Sequence, residues 1–95
     1  MFRISVTAQH IRDGIPRSST ADPIALAARA AGFGGAVTTP AGLKVGSRAI
    51  DFPDDVCCWI ADFDSGRPVD PIAWAVPPLD GPGWREIGVQ RGAKA

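Results

Sequence analysis

The sequence predicts an α+β fold, a two-layer sandwich in which one mostly antiparallel sheet of about four or five short strands carries helices on one face. Three observations support this prediction. Short segments of alternating apolar and polar residues occur near both ends of residues 2–76, and alternation is typical of strands. A stripe of large apolar residues at helical spacing lies between them, and glycine and proline separate the segments.

The first strand and two helices follow from the amino-terminal third. Phe2, Ile4 and Val6 alternate with polar residues, which predicts a strand with one buried face. Thr7 suits the cap of a short helix over residues 8–13. Asp22 and Pro23 suit the cap and first turn of a second, alanine-rich helix that ends before residue 32.

A meander of short strands is predicted next, over residues 36–38, 43–45 and 48–50. The connection between the last two is Gly46-Ser47, and glycine in the first position of a two-residue loop is typical of a type II′ hairpin.

The clearest helix begins after Pro53. Val56, Trp59, Ile60 and Phe63 are spaced i, i+3, i+4 and i+7, so they share one helical face. A last strand is predicted over residues 72–76, where larger and smaller apolar residues alternate. We therefore expect a single domain over residues 1–78 and a glycine- and proline-containing tail over residues 79–95. Trp84, Ile87 and Val89 leave open that the tail docks or pairs as an edge strand.

Charge is distributed unevenly along the chain although the net charge is zero. Residues 51–80 hold seven of the ten acidic residues against a single cation, Arg67, whereas the residues before and after are net positive. Such opposed blocks give a protein surface a directional field that can steer a partner.

Several classes of protein and site are not expected. No apolar run approaches the ~20 residues that span a bilayer, and the alternating amino terminus lacks the apolar core of a signal peptide. We therefore expect no membrane partner and a cytoplasmic location. Cys57 and Cys58 are adjacent, which suits neither a structural disulfide nor a zinc site, so neither a metal nor another cofactor is expected.

The candidate site is the outer face of the third predicted helix. Asp54, Asp55, Cys58 and Asp62 project away from the apolar stripe, and Asp64 extends the negative surface beyond them. An acidic face of this kind suits a basic groove on a partner protein. The competing interpretation is the ordinary solvated face of an amphipathic helix.

Two other functions remain open from the residues. Cys57 or Cys58 with His10, the single histidine, would suit a thiol enzyme, although no catalytic motif accompanies them. Arginine outnumbers lysine eight to two, and arginine favours phosphate recognition, but the arginines are scattered and the chain is neutral. Direct nucleic-acid binding is therefore the weaker expectation.

Residues 4–76 resemble a group of small proteins encoded by bacteriophages and prophages. The shared patterns are Val6-Thr7-Ala8-x-His10-Ile11-x-x-Gly14, Asp22-Pro23-Ile24-Ala25-Leu26-Ala27, Pro53-Asp54-x-Val56 and Trp59-Ile60-x-x-Phe63-Asp64-x-Gly66-x-Pro68-Val69-x-Pro71-Ile72. These patterns are structural, so no functional residue is carried over. The resemblance implies an origin on a mobile element and an action like that of anti-CRISPR proteins, which bind and block a host complex.

Together these observations predict a non-enzymatic binding protein that inhibits a bacterial defence complex, in the first instance CRISPR interference. Its acidic face would occupy a basic groove of a host protein complex that binds nucleic acid. A small nucleic-acid-binding regulator is the second expectation, and a phage structural protein that binds copies of itself is a further alternative. The oligomeric state is not predicted.

Overall fold

The structure is a computed structural model, and it describes residues 2–87. Helices and strands alternate irregularly along the chain, which confirms the α+β class. The elements are β1 (Phe2–Val6), α1 (Ala8–Asp13), α2 (Pro23–Ala30), β2 (Val37–Thr38), β3 (Gly42–Val45), β4 (Arg48–Asp51), α3 (Asp54–Asp64), β5 (Ile72–Val76) and β6 (Arg85–Glu86).

Caps and turns begin and end these elements as the sequence predicts. The Thr7 side chain accepts a hydrogen bond from the backbone N–H of His10, and His10 Nδ1 accepts one from the backbone N–H of Thr7, which forms a capping box for α1. Asp22 caps α2, with Pro23 at its first position. Gly46 has φ +61°, which the first position of the β3–β4 turn requires.

The single predicted sheet is wrong, because the strands form two antiparallel sheets. β1 pairs with β5, and the second sheet has the order β2-β3-β4-β6. Short connections keep β2, β3 and β4 together, whereas α2 and α3 stand in the chain between strands of different sheets. Two strands that are joined through a helix are therefore not paired in this fold. The alternation of apolar and polar residues predicts where strands occur but not which strands pair.

The core lies where the helices meet both sheets. Ile4, Ile24, Leu43 and Val56 come from four different elements and are fully buried. All four residues of the predicted apolar stripe of α3 are buried. The ring of Trp59 stacks on the ring of Phe63, with their centroids 5.9 Å apart. This burial orients α3 and thereby turns its opposite side outward.

The segment after residue 78 packs on the folded body at least as far as residue 87. β6 pairs with β4, and the backbone N–H of Ile87 donates to the carbonyl of Ser47. Trp84 donates its indole N–H to the Pro77 carbonyl and packs against Phe33. Arg85–Glu86 thus pairs as an edge strand, which is the alternative that the sequence left open for the tail. Val89 lies outside the described residues.

Candidate functional site: the outer face of the third helix

The amino-terminal turn of α3 exposes two carboxylates. Asp54 and Asp55 are both solvent-exposed, and Pro53 supplies no side-chain hydrogen bond to cap the helix. Negative charge at this position is favourable, because the unpaired backbone N–H groups give the helix start a partial positive charge. Cys58, one turn later, is also exposed. We call Asp54, Asp55, Cys58 and Asp62 the acidic face.

Asp62 does not contribute an unpaired charge to this face. Arg67 Nη1 lies 2.9 Å from Asp62 Oδ1, and both side chains are largely solvent-accessible. Beside the helix start, Arg85 Nη1 lies 3.0 Å from Asp51 Oδ1. Exposed ion pairs contribute at most about 1 kcal/mol to stability, but they reduce the local negative potential. The acidic face is therefore less negative than the sequence alone predicts.

Asp64 lies at the far end of α3 and interacts with the loop before α2. Its Oδ1 accepts a hydrogen bond of 2.8 Å from the backbone N–H of Arg17, and its carbonyl accepts one of 2.9 Å from Arg17 Nη1. Arg17 has φ +61°, an uncommon conformation for a residue with a side chain. Ten helical positions place Asp64 about 15 Å along the axis from Asp54. The structure thus separates Asp64 from the other candidate residues.

A cleft of about 290 Å³ begins where Asp64 and Arg17 meet, and Asp22, Thr38 and Ile60 also line it. Asp22 is 3% exposed, and its Oδ1 accepts hydrogen bonds from the Ala25 N–H at 2.7 Å and the Thr38 hydroxyl at 2.8 Å. Burial raises the pKa of Asp22, since the charged form loses hydration, and these hydrogen bonds partly oppose the rise.

This arrangement assigns Asp22 a structural role, as a helix cap that also ties α2 to β2. The sequence identifies Asp22 as a cap, but nothing in it indicates that Thr38, sixteen residues later, completes the interaction. The contact of Arg17 with Asp64 carries no sequence signal either.

The two cysteines are free thiols with different environments. Cys57 is half-buried and Cys58 is exposed. Burial raises the pKa of Cys57, and the negative charge of Asp54 raises it further. This shift disfavours the thiolate, which is the reactive form. His10 meanwhile uses Nδ1 in the capping box of α1, and no hydrogen bond joins it to either cysteine within residues 2–87.

Most arginines of the described chain bind groups of the protein itself. Arg29 donates to the carbonyls of Ala36 and Thr20, and Arg48 donates to the carbonyl of Leu79. Arg12, Arg17, Arg67 and Arg85 also make side-chain hydrogen bonds. The scattered arginines of the sequence therefore act here largely as ties between segments.

Within residues 2–87, no group of three or more His, Cys, Asp and Glu side chains is placed to hold a metal ion. Of the helices in this described range, none is long and apolar enough to cross a membrane.

The geometry thus leaves Asp54, Asp55 and Cys58 as the exposed centre of the acidic face. No family model, curated protein or solved structure shows a significant match to the chain.

Proposed function

We propose that the protein is a non-enzymatic binding protein of phage or prophage origin that inhibits a bacterial defence complex, in the first instance CRISPR interference. The acidic face enters a basic groove that otherwise holds nucleic acid. Asp54 and Asp55 supply the main charge, because both are exposed and neither has an ion-pair partner in the described chain. That pair of unpaired carboxylates is the observation on which the proposal rests.

The rigid placement of these carboxylates supports a docking role. The four apolar residues on the opposite side of α3 are all buried, so the helix cannot rotate without exposing them. A fixed pair of charges loses little conformational freedom on binding and favours specificity and rapid association. Asp62 can join the interface if Arg67 exchanges its partner.

The same observations favour this proposal over a nucleic-acid-binding regulator. Nucleic-acid binding requires cations that are available to phosphates. Of the eight arginine and lysine residues in the range 2–87, six make side-chain hydrogen bonds within that range, and Arg3 and Lys44 do not. The raised pKa of Cys57 likewise gives no support to a thiol enzyme.

Capture of partners from host lysate, followed by a displacement assay with the purified CRISPR effector, tests the proposal. The protein should displace labelled nucleic acid from the effector. Changing both Asp54 and Asp55 to Asn should weaken this inhibition about tenfold, or roughly 1.4 kcal/mol. The charge-matched control changes Asp13 and Asp80, both exposed, to Asn and should leave inhibition unchanged.

Two results would contradict different parts of the proposal. If the unaltered protein displaces no nucleic acid from any purified effector of its host, the inhibitory function is wrong. If the protein inhibits but the Asp54 and Asp55 variant inhibits equally well, the acidic face is not the contact. Circular dichroism of each variant is needed, because the two carboxylates also stabilise the start of α3 by about 0.3–1 kcal/mol each.

Breaking the ion pair at Asp62 should increase the affinity for the basic partner, in contrast to the loss expected at Asp54 and Asp55. Replacing Arg67 by Ala leaves the Asp62 carboxylate unpaired and should strengthen binding to the basic partner, most clearly at low salt. A combined Arg67 and Asp62 variant should lose that gain. Weaker binding of the Arg67 variant would show that Arg67 itself contacts the partner.

A further inference from the structure

The outer edge of β5 is unpaired within the described chain. Ile72 to Val76 are paired with β1 on one side, and no other backbone hydrogen bond reaches them in residues 2–87. Backbone N–H and C=O groups on the open side of an edge strand need a partner, either water or another strand. Ala75 is exposed and Ile72, Ala73 and Trp74 are only half-buried, whereas Val76 at the end of the strand is buried in the core.

This edge lacks the features that usually prevent edge-to-edge pairing. Proteins protect open edges with charged side chains, with prolines inside the strand or with bulges. Residues 72–76 contain no charge and no proline, and their register with β1 is continuous from Val6↔Ile72 to Phe2↔Val76. Pro71 and Pro77 lie outside the strand and limit its length.

The sequence of β5 is self-complementary. Ile-Ala-Trp-Ala-Val is nearly symmetric about Trp74. If two copies of β5 run antiparallel about this residue, Ala73 lies opposite Ala75 of the second copy and Ile72 lies opposite Val76. Small side chains then meet on one face and large apolar side chains on the other, and no like charges are brought together.

We infer that β5 is the pairing edge of a symmetric dimer, with a second copy of this chain as the occupant. The two small sheets join into one four-stranded antiparallel sheet of order β1-β5-β5-β1. Alternate residues of a strand direct their backbone N–H and C=O groups to the same edge, so a pairing of this length forms about four to six backbone hydrogen bonds. The inference is independent of the acidic face and goes beyond the proposed function.

Sedimentation velocity of the unaltered protein over roughly 10 µM to 1 mM tests the dimer directly, since a short edge makes a small and weak interface. Dimers should appear with increasing concentration. A protein that stays monomeric at the highest concentration overturns the inference, whatever any variant does.

Charge variants test the register. Changing Ala73 and Ala75 together to Lys places lysines opposite lysines in the pairing and should give monomers, as should changing both to Glu. A mixture of the two variants should form heterodimers, because opposite charges then face each other. The matched control is Ser5→Lys, on the same face but on β1, which should still dimerise. Dimers of the lysine variant, no heterodimers in the mixture, or loss of dimers in the Ser5 variant would each overturn pairing at this edge.

Discussion

Replacing Asp22 by Ala removes a buried carboxylate that joins the start of α2 to β2. The change deletes the acceptor of the Ala25 N–H at 2.7 Å, and loss of such a cap costs about 0.5–2 kcal/mol. It also leaves the Thr38 hydroxyl, in a residue only 8% exposed, without its acceptor, which costs about 1–3 kcal/mol. Together we expect a loss of about 2–4 kcal/mol in the free energy of unfolding, measured by urea denaturation.

Asp22→Asn separates the hydrogen bonds from the charge. The amide oxygen can accept both hydrogen bonds that the carboxylate accepts now, and Asn is as good a cap as Asp. We therefore expect this variant to lose less than about 1 kcal/mol near neutral pH. In a thermal scan the Ala variant should melt about 10–25 °C below the unaltered protein, and the Asn variant close to it.

The pH dependence of stability gives a second measure of the same carboxylate. Because the pKa of Asp22 in the folded protein is raised above its ordinary value of 3.8, the unfolded chain releases this proton first as the pH rises. The part of the stabilisation by Asp22 that depends on the bound proton is therefore fully present below pH 3.8 and is lost as the pH rises through the raised value, whereas the two hydrogen bonds it accepts remain. Relative to the Asn variant, the unaltered protein should be most favoured in acid.

Equal destabilisation of the Ala and Asn variants at neutral pH would refute this account, since it would mean that the hydrogen bonds do not carry the effect. A stability difference from the Asn variant that grows with rising pH would refute the assigned direction of the pKa shift.

Two further predictions concern packing and thiol reactivity. Gly42→Ala would place a Cβ in steric clash with the carbonyl oxygen of Ile50, so we expect the free energy of unfolding in urea to fall by about 1–3 kcal/mol. The control Gly34→Ala meets nothing within 4 Å and should leave stability unchanged. An equal response of the two variants would contradict the close approach of β3 to β4. Alkylation followed by mass spectrometry should label exposed Cys58 well before Cys57, whose thiolate is disfavoured, and Cys58→Ser should remove the fast phase. Fast labelling that survives this change would assign the reactive thiol to Cys57.

Local features of the fold could be predicted from the sequence because each is written in adjacent residues. The stripe on α3, the cap at Asp22 and the turn at Gly46 depend on neighbours within about one turn. All three are present in the structure. Elements of this kind can therefore be predicted without knowledge of the tertiary structure.

The division into two sheets and the state of the acidic face could not be predicted in the same way. The division into sheets and the contacts of the aspartates beside the acidic face depend on residues that are distant in sequence, whereas the Asp62–Arg67 pair on the face itself spans five positions. Arg17 meets Asp64 across 47 positions, and Arg85 meets Asp51 across 34. Charge counting identified the aspartates, but it could not show which arginines would lie beside them.

The pairing of β1 with β5 has a consequence for synthesis. Phe2 is aligned with Val76 and Val6 with Ile72, so β1 leaves the ribosome well before the strand that pairs with it. Until that late segment emerges, Ile4 and Val6 lack the partner strand beside which they are buried. Pairing of β1 must therefore await residues 72–76, and contacts between residues so distant in sequence generally form slowly.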